Sequence, residues 1–176
     1  AVNYGAIGVT IGHEISHAFD DKGSQFDGDG NLRNWWTKED RDNFDKRTGL
    51  LANQYSQYEV LPGRKLNGEL TLGENIADLG GAKAAFRAYK ISLKGEPSPI
   101  IDNYTGEQRF FIGTAQSDRV KFRDEIYEMR VATSVHSPSR FRVDGVIINM
   151  KEFHKAFSTE KGDKLYKSDN DIILIW

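Results

Sequence analysis

The chain has 176 residues with 38% hydrophobic residues, 28% charged residues, a formal net charge of −2 and no cysteine. This composition suits one folded domain and excludes disulfides, thiolate nucleophiles and cysteine-type zinc sites, so any metal ion must be bound by His, Asp or Glu. Neither sign of charge dominates and no apolar run approaches the roughly 20 residues of a membrane-spanning helix, so the composition indicates neither a nucleic-acid partner nor a membrane segment.

The first predicted element is a helix over residues 4–19, in spite of Gly5, Gly8 and Gly12. Each glycine in a helix interior costs about 1 kcal/mol relative to alanine. Three of them in one helix therefore predict close packing against another backbone. Residues 20–34, which are rich in glycine and aspartate, are predicted as a loop or short hairpin.

A second helix is predicted to begin at Thr37, because Thr37 and Asp40 have the spacing of a helix N-terminus. Its apolar residues follow at helical spacing: Phe44, Leu51, Tyr55 and Tyr58. Pro62-Gly63 is expected to end this helix, and Asn67-Gly68 is a strong turn signal.

The second half of the chain is also predicted to be mostly helical. The predicted elements are a long helix over residues 71–93, a connection over 95–99, a long helix over 106–131, a loop over 134–140, an extended segment over 141–148 and a short helix over 149–157 capped by Asn149. The expected fold class is therefore mainly α with a few short strands. The apolar tail, residues 172–176, is expected to belong to the core.

The chemistry of the chain centres on His13-Glu14-Ile15-Ser16-His17. Residues four apart lie on one face of a helix, so His13 and His17 can present two imidazole nitrogens to one cation. Zinc accepts such ligands, and a catalytic zinc site leaves one position open for water. Glu14 is close enough to take the proton from that water. The alternative is a solvated helix face with two chance histidines, a pattern expected in roughly one chain of this size in a few hundred.

Zinc needs a third protein ligand, and the sequence offers one on a second predicted helix. One class of peptidases supplies a third histidine six residues after the second, but Gly23 occupies that position here. The other solution is a glutamate four residues before an aspartate, and Glu74 with Asp78 provides this pair. Glu74 could bind the metal while Asp78 accepts a hydrogen bond from a liganding imidazole.

Each of these carboxylates also has a plainer interpretation. Thr71 and Glu74 have the spacing of a capping box, in which Glu74 would bind only the backbone at its helix start. Asp78 could have only a surface or capping role. Asp20, three residues after His17, is either an acceptor for an imidazole or a loop acid, and the sequence leaves both interpretations open.

Two long motifs resemble those of one peptidase family. Residues 11–21, which contain the histidine pair, resemble the zinc helix of the neprilysin and endothelin-converting-enzyme family, and residues 72–81 resemble its second zinc segment. Shorter matches at residues 3–5, 34–37 and 135–142 extend the resemblance over essentially the whole chain. The resemblance implies the C-terminal portion of a gluzincin (thermolysin-like) metallopeptidase catalytic domain that binds one Zn²⁺ per chain and hydrolyses peptide bonds of oligopeptides.

The resemblance also implies roles for two residues near the C-terminus. His136 would correspond to the histidine that stabilises the oxyanion, and Arg142 to the arginine that binds a substrate backbone carbonyl. From residue types alone, His136 is an ordinary loop histidine and Arg140 competes with Arg142, so only the family spacing selects Arg142. His154 lies outside every motif and is expected to be structural or exposed.

The chain departs from the family in length and in cysteine content. Family members carry, upstream of the zinc helix, an edge strand that pairs with substrate and a large helical lid, whereas 12 residues precede His13 here. Residues 1–176 are therefore expected to be a single zinc-binding catalytic fragment. Its expected partners are oligopeptide substrates and the missing N-terminal part of the same polypeptide. The lack of cysteine resembles bacterial oligopeptidases of the family more than disulfide-bonded animal ectoenzymes, and the compartment stays open.

The rival hypothesis is a zinc-stabilised, non-catalytic binding or assembly module. Glu14 argues against it, because a structural zinc site needs no base and usually has four protein ligands. The predicted site consists of His13, His17 and Glu74 as metal ligands, Glu14, His136 and Asp78 as catalytic residues and Arg142 as the substrate-binding residue.

Overall fold

The computed structural model describes all of residues 1–176 and is mainly helical with few strands, as the sequence predicts. Seven α-helices are present: α1 (Val9–Ser16), α2 (Lys38–Ser56), α3 (Leu72–Ser92), α4 (Gly106–Ser117), α5 (Asp124–Thr133), α6 (Ser139–Ile147) and α7 (Lys151–Phe157). Strands β1 (Glu59–Leu61) and β2 (Arg64–Lys65) form a two-stranded antiparallel hairpin. No helix combines the length and the apolar character that crossing a membrane requires.

The helical stretch around α1 is continuous, as predicted. A π-helical segment (Tyr4–Gly8) runs into α1, and a short 3-10 turn (His17–Phe19) follows it. Gly12 of α1 meets Gly81 of α3 backbone to backbone, and a methyl group added to Gly12 would lie 2.8 Å from the Gly81 Cα. The glycines therefore let α1 approach α3 closely, which confirms the expected backbone packing.

Helix α3 lies at the centre of the core, with α1, α2 and α6 packed against it. Its buried side chains include Ile76, Leu79, Ala82, Ala85, Phe86 and Tyr89. The C-terminal tail adds alternate residues to this core, since Ile173 and Ile175 are buried while Leu174 and Trp176 are about half exposed. The expectation that the tail belongs to the core is thus confirmed for every second residue.

Helix α2 begins as predicted, because the Thr37 side chain accepts a hydrogen bond from the Asp40 backbone N–H. It ends at Ser56, before the predicted position, and Pro62-Gly63 instead forms the turn between β1 and β2. Gly63 has a φ of +72°, a conformation that favours glycine. The predicted hairpin character of residues 20–34 is present as a single bridge between Phe26 and Leu32.

The prediction of one helix over residues 106–131 is wrong. Helix α4 ends at Ser117, and α5 begins only at Asp124. Helix α4 buries Phe110, Phe111 and Thr114, whereas α5 buries no residue. The first helix therefore ends near the point where its side chains no longer reach the core, because packing rather than propensity stabilises helices of this length.

The prediction of an extended segment over residues 141–148 is also wrong, since α6 occupies it. The Pro138 carbonyl accepts a hydrogen bond from the Phe141 N–H at 2.7 Å and starts the helix. Gly145 then lets α6 pack directly against the Tyr55 ring, where any Cβ would collide. Because this short helix is buried on more than one side, its apolar residues alternate along the sequence as they would in a strand.

Asn149 does not cap α7, which is the third correction. The residue before α7 is Met150, and no side chain caps the helix. Asn149 is fully buried and binds the backbone and side chains of other elements instead. His154 has a structural role, because its ring nitrogens contact the Thr159 hydroxyl at 2.6 Å and the Ile148 carbonyl at 3.0 Å.

Candidate metal centre

Two imidazoles converge on one face of α1. The Nε2 atoms of His13 and His17 lie 3.0 Å apart, and the rings meet edge to face with centroids 4.5 Å apart. His13 is buried, whereas the His17 side chain is partly exposed. Two neutral imidazoles whose Nδ1–H groups are used elsewhere would direct two lone pairs at each other. This arrangement is therefore favourable only with a proton or a cation between the two nitrogens.

Glu74, in the first turn of α3, completes this cluster. Its Oε2 lies 3.2 Å from His13 Nε2 and 3.8 Å from His17 Nε2, and one ligand atom from each of the three residues lies within 4.8 Å of the others. Glu74 Oε2 is buried and accepts no hydrogen bond of acceptable geometry. A buried carboxylate oxygen without a donor is costly, so this position suits a cation.

The capping-box interpretation of Glu74 is wrong. Thr71 makes no side-chain capping bond, and its backbone does not have the extended conformation of an N-cap. Its hydroxyl donates to the Asn67 carbonyl and accepts from the Asn75 amide instead. Glu74 therefore points away from its own helix start and toward the histidines.

Two aspartates orient the imidazoles by contacting the Nδ1 atom of each ring. His13 Nδ1 lies 2.7 Å from Asp78 Oδ1, and His17 Nδ1 lies 2.7 Å from Asp20 Oδ2. A carboxylate on Nδ1 selects the tautomer that leaves Nε2 free to bind a metal. Asp20 also accepts the backbone N–H groups of Lys22 and Gly23, so it is both an acceptor for an imidazole and a loop acid.

The charges of the cluster are strongly coupled. Burial lowers the pKa of His13, but its contacts with Asp78 and Glu74 outweigh burial and raise the pKa to about 9. Burial raises the pKa of the Asp78 carboxyl, but hydrogen bonds from Arg142 and His13 outweigh it and lower that pKa. Burial also raises the pKa of the Glu74 carboxyl, but the nearby imidazoles of His13 and His136 outweigh it and lower that pKa. The site thus holds buried negative charge that a proton or a metal ion neutralises.

His136 and Arg142 also contact this cluster, each through one of its carboxylates. His136 lies in the loop before α6, and its Nε2 is 3.2 Å from Glu74 Oε2. Arg142, in α6, donates from Nε to Asp78 Oδ2 at 2.8 Å and from Nη2 to Asp78 Oδ1 at 2.6 Å. Arg140 is exposed and pairs within its own helix. The structure therefore brings Arg142, and not Arg140, to this cluster.

Glu14 is not part of the buried cluster. Its side chain is exposed and lines a cavity of about 210 Å³ together with His13, His136 and Arg142. Asp78 and Asp118 also line this cavity, whereas His17 does not. Glu14, which forms no ion pair, therefore shares a cavity with His13, one of the imidazoles that contact Glu74.

Sequence analysis missed three residues of this region. Ser137 donates to Asn75 Oδ1 at 2.7 Å, and this buried bond ties the loop that carries His136 to α3. Ser137 directly follows His136 and Asn75 directly follows Glu74, each inside a family motif. This adjacency in the sequence could have identified both residues. Asp118 also lines the cavity, but it lies in no motif and only the fold brings it there.

Comparison with known proteins defines the family. Residues 1–173 match the model of Peptidase family M13. The chain belongs to peptidase family M13. It is 48% identical over 162 residues to Neprilysin-11 of Caenorhabditis elegans and 45% identical over 168 residues to Endothelin-converting enzyme 1 of Homo sapiens. The predicted membership of the neprilysin and endothelin-converting-enzyme family is thus confirmed.

Solved structures agree with this assignment to the M13 family. The crystal structure of the Mycobacterium tuberculosis zinc metalloprotease Zmp1 with an inhibitor has a TM-score of 0.96 and 46% sequence identity to this chain. PepO from Lactobacillus rhamnosis has a TM-score of 0.85 and 36% identity. The family is one of zinc metallopeptidases, and the expected gluzincin fold is confirmed.

The M13 chain is short beside these proteins. It spans 19% of Neprilysin-11, 22% of Endothelin-converting enzyme 1, and 28% and 26% of the Zmp1 and PepO chains. In the other direction, the two structural matches each cover 99% of this chain. The region around the histidine pair is therefore compared over its full length, but most of each relative lies outside the comparison.

Proposed function

We propose that this chain carries the zinc-dependent catalytic centre of an endopeptidase that hydrolyses oligopeptides. His13, His17 and Glu74 would hold one Zn²⁺ per chain. The observation that carries this proposal is the buried Glu74 Oε2, which has no hydrogen-bond donor and lies against two imidazole Nε2 atoms. Two imidazoles and one carboxylate form a donor set that zinc accepts, and three protein ligands leave a position open for chemistry.

The roles of the other residues follow from where their side chains lie. When bound, zinc would supply a Lewis acid that activates water and polarises the scissile carbonyl. Glu14 would take one proton from the attacking water and deliver it to the leaving amine as the C–O bond forms and the C–N bond breaks. His136 would stabilise the negative charge that develops on the carbonyl oxygen.

Asp78 and Arg142 would act as a positioning pair. Asp78 binds His13 and Arg142 at the same time, so one carboxylate fixes both an imidazole and a guanidinium. Two N–H groups of Arg142 bind Asp78, and the residue also lines the cavity. An arginine held this rigidly can bind a backbone carbonyl of the peptide with little loss of side-chain entropy.

Replacement of Glu14 separates this proposal from a zinc-stabilised module without catalysis. In the complete polypeptide, Glu14→Gln should reduce peptide cleavage by at least about a hundredfold because the proton acceptor is lost. Zinc content should stay at one per chain, since Glu14 is not a ligand. The measurements are cleavage of a quenched fluorescent peptide and metal analysis by mass spectrometry.

Glu39→Gln is the matched control, because Glu39 is exposed in the first turn of α2. This variant should keep both cleavage and zinc. Cleavage at the parental rate in Glu14→Gln would remove Glu14 from the mechanism and leave the non-catalytic module as the better interpretation.

We also propose that residues 1–176 need the remainder of the polypeptide for efficient cleavage. Ile7, Ile11 and Ile15 form a stripe along one side of the α1 region with exposed fractions of 59%, 56% and 65%. Such a stripe on a helix that carries the metal site suits a packed neighbour, and the family resemblance suggests the substrate-pairing sheet.

This proposal predicts that residues 1–176 produced alone bind zinc but cleave peptides at least about a hundredfold more slowly than the complete polypeptide, because strand pairing gives substrate affinity and register. Zinc content and cleavage rate are measured side by side on both proteins. Equal cleavage rates would show that residues 1–176 are sufficient.

A further inference from the structure

Asp118 lies at the C-terminal end of α4 and has no structural partner. Its half-buried carboxylate forms no ion pair within 4.0 Å, although it lies at the end of a helix, where the dipole disfavours negative charge. Burial raises the pKa of this carboxyl, and the more distant Arg142 only partly offsets the effect. The residue therefore costs stability where it stands, which points to a role outside folding.

The surroundings of Asp118 define what it could bind. Asp118 lines the same cavity as Glu14 and Arg142, with Ala6 and Val9 providing an apolar wall. The charge of the neighbouring Asp78 is already matched by Arg142 and His13. Asp118 is thus a carboxylate in the cavity that Glu14 also lines, and no residue of the chain neutralises its charge through a direct contact.

We propose that Asp118 selects a lysine or arginine side chain on the peptide residue that flanks the scissile bond in this cavity. The apolar wall suits the aliphatic stem of such a side chain, and the carboxylate suits its charged end. A glutamate in the same place would meet a like charge at short range. This inference rests on the proposed peptidase function and adds a charge preference to it.

Binding to a catalytically arrested protein tests the inference directly. The complete, zinc-loaded polypeptide carrying Glu14→Gln is titrated with peptides that differ only in lysine, methionine or glutamate at either residue flanking the scissile bond. At one of the two positions the lysine peptide should bind about tenfold more tightly than the methionine peptide, and the glutamate peptide more weakly still. Adding Asp118→Asn should make the three peptides bind alike.

Glu96→Gln provides the matched control. It also removes one negative charge, but Glu96 is exposed in the connection after α3 and lines none of the cavity. The lysine preference should persist in this variant. If it vanished in both variants, net charge and not the position of Asp118 would explain the preference, and the inference would be wrong.

Two further results would overturn the inference. One is equal binding of the three peptides at both positions before Asp118 is changed. The other is an equal loss of affinity for all three peptides in Asp118→Asn, which would mean that Asp118 only supports Arg142. Because the readout is binding, either result leaves the peptidase proposal to be decided by the turnover of the Glu14→Gln protein.

Discussion

Two polar clusters lie inside this M13 chain, one around Asn149 and one around Glu74, and they differ in how their polar atoms are satisfied. The Asn149 amide donates to Gln54 Oε1 and the Gly145 carbonyl, each at 2.9 Å, and its oxygen accepts from Lys167 Nζ at 2.7 Å and the Ile173 N–H at 3.0 Å. Glu74 Oε2, in contrast, is buried without a hydrogen-bond donor.

The difference separates a structural cluster from a functional one. A buried network whose groups are all paired stabilises one arrangement of the chain and needs nothing further. A buried acceptor that faces three imidazole nitrogens without a hydrogen bond from any of them is incomplete within the protein alone. The first cluster should therefore govern the free energy of unfolding, and the second should govern the affinity for zinc.

The largest effect is expected from Glu74→Ala. Loss of a ligand should weaken zinc binding by about a thousandfold or more, because two imidazoles alone hold the ion poorly. The free energy of unfolding of the zinc-free protein should fall by less than in Asn149→Ala, since the variant loses only the solvent-screened attraction between this carboxylate and the neighbouring histidines. Competition with a chelator gives the affinity and urea denaturation gives the stability. Parental zinc affinity in this variant would exclude Glu74 as a ligand.

Asn149→Ala should have the opposite pattern. Removal of the amide breaks four hydrogen bonds in a buried place and should lower the free energy of unfolding by about 3–5 kcal/mol. Zinc affinity of the folded protein should stay at the parental value, as judged by the same two measurements. Asn53→Ala, at an exposed position of α2, is the control and should change neither quantity. A loss of zinc affinity in Asn149→Ala would mean that the clusters are coupled.

The smallest effect concerns the pH dependence of the Asn149 cluster. Burial lowers the pKa of Lys167 to about 8, so between about pH 8 and its ordinary pKa of 10.5 the unfolded chain binds the proton and the folded chain does not. Stability contributed by Lys167 should therefore rise with pH in this window, by about 1 kcal/mol because solvent screens a half-buried ammonium. Urea denaturation at several pH values, compared with Lys167→Met, measures the difference. An identical pH profile in the two proteins would contradict it.

The confirmed parts of the sequence prediction depend on residues close together in the chain. The Thr37 cap, the helical stretch around α1 and the glycine packing follow from spacing and from the cost of glycine in a helix. The failed parts depend on packing partners. Residues 139–147 are helical with Gly145 packed against Tyr55, and no local pattern contains that contact. Asparagine is a residue type that often caps helices, but the hydrogen-bond partners of Asn149 come from α2 and the C-terminal tail.

By itself, the sequence determined the motif that pairs His13 with His17, because a spacing of four residues fixes their geometry on any helix. It also determined the family, through motifs that run along the chain in order. Only the tertiary structure decided that Glu74 turns to the histidines and away from its own helix start, and that Asp118 faces the same cavity as Glu14. These relations join residues far apart in sequence, and they are set by how closely helices pack, which no local pattern encodes.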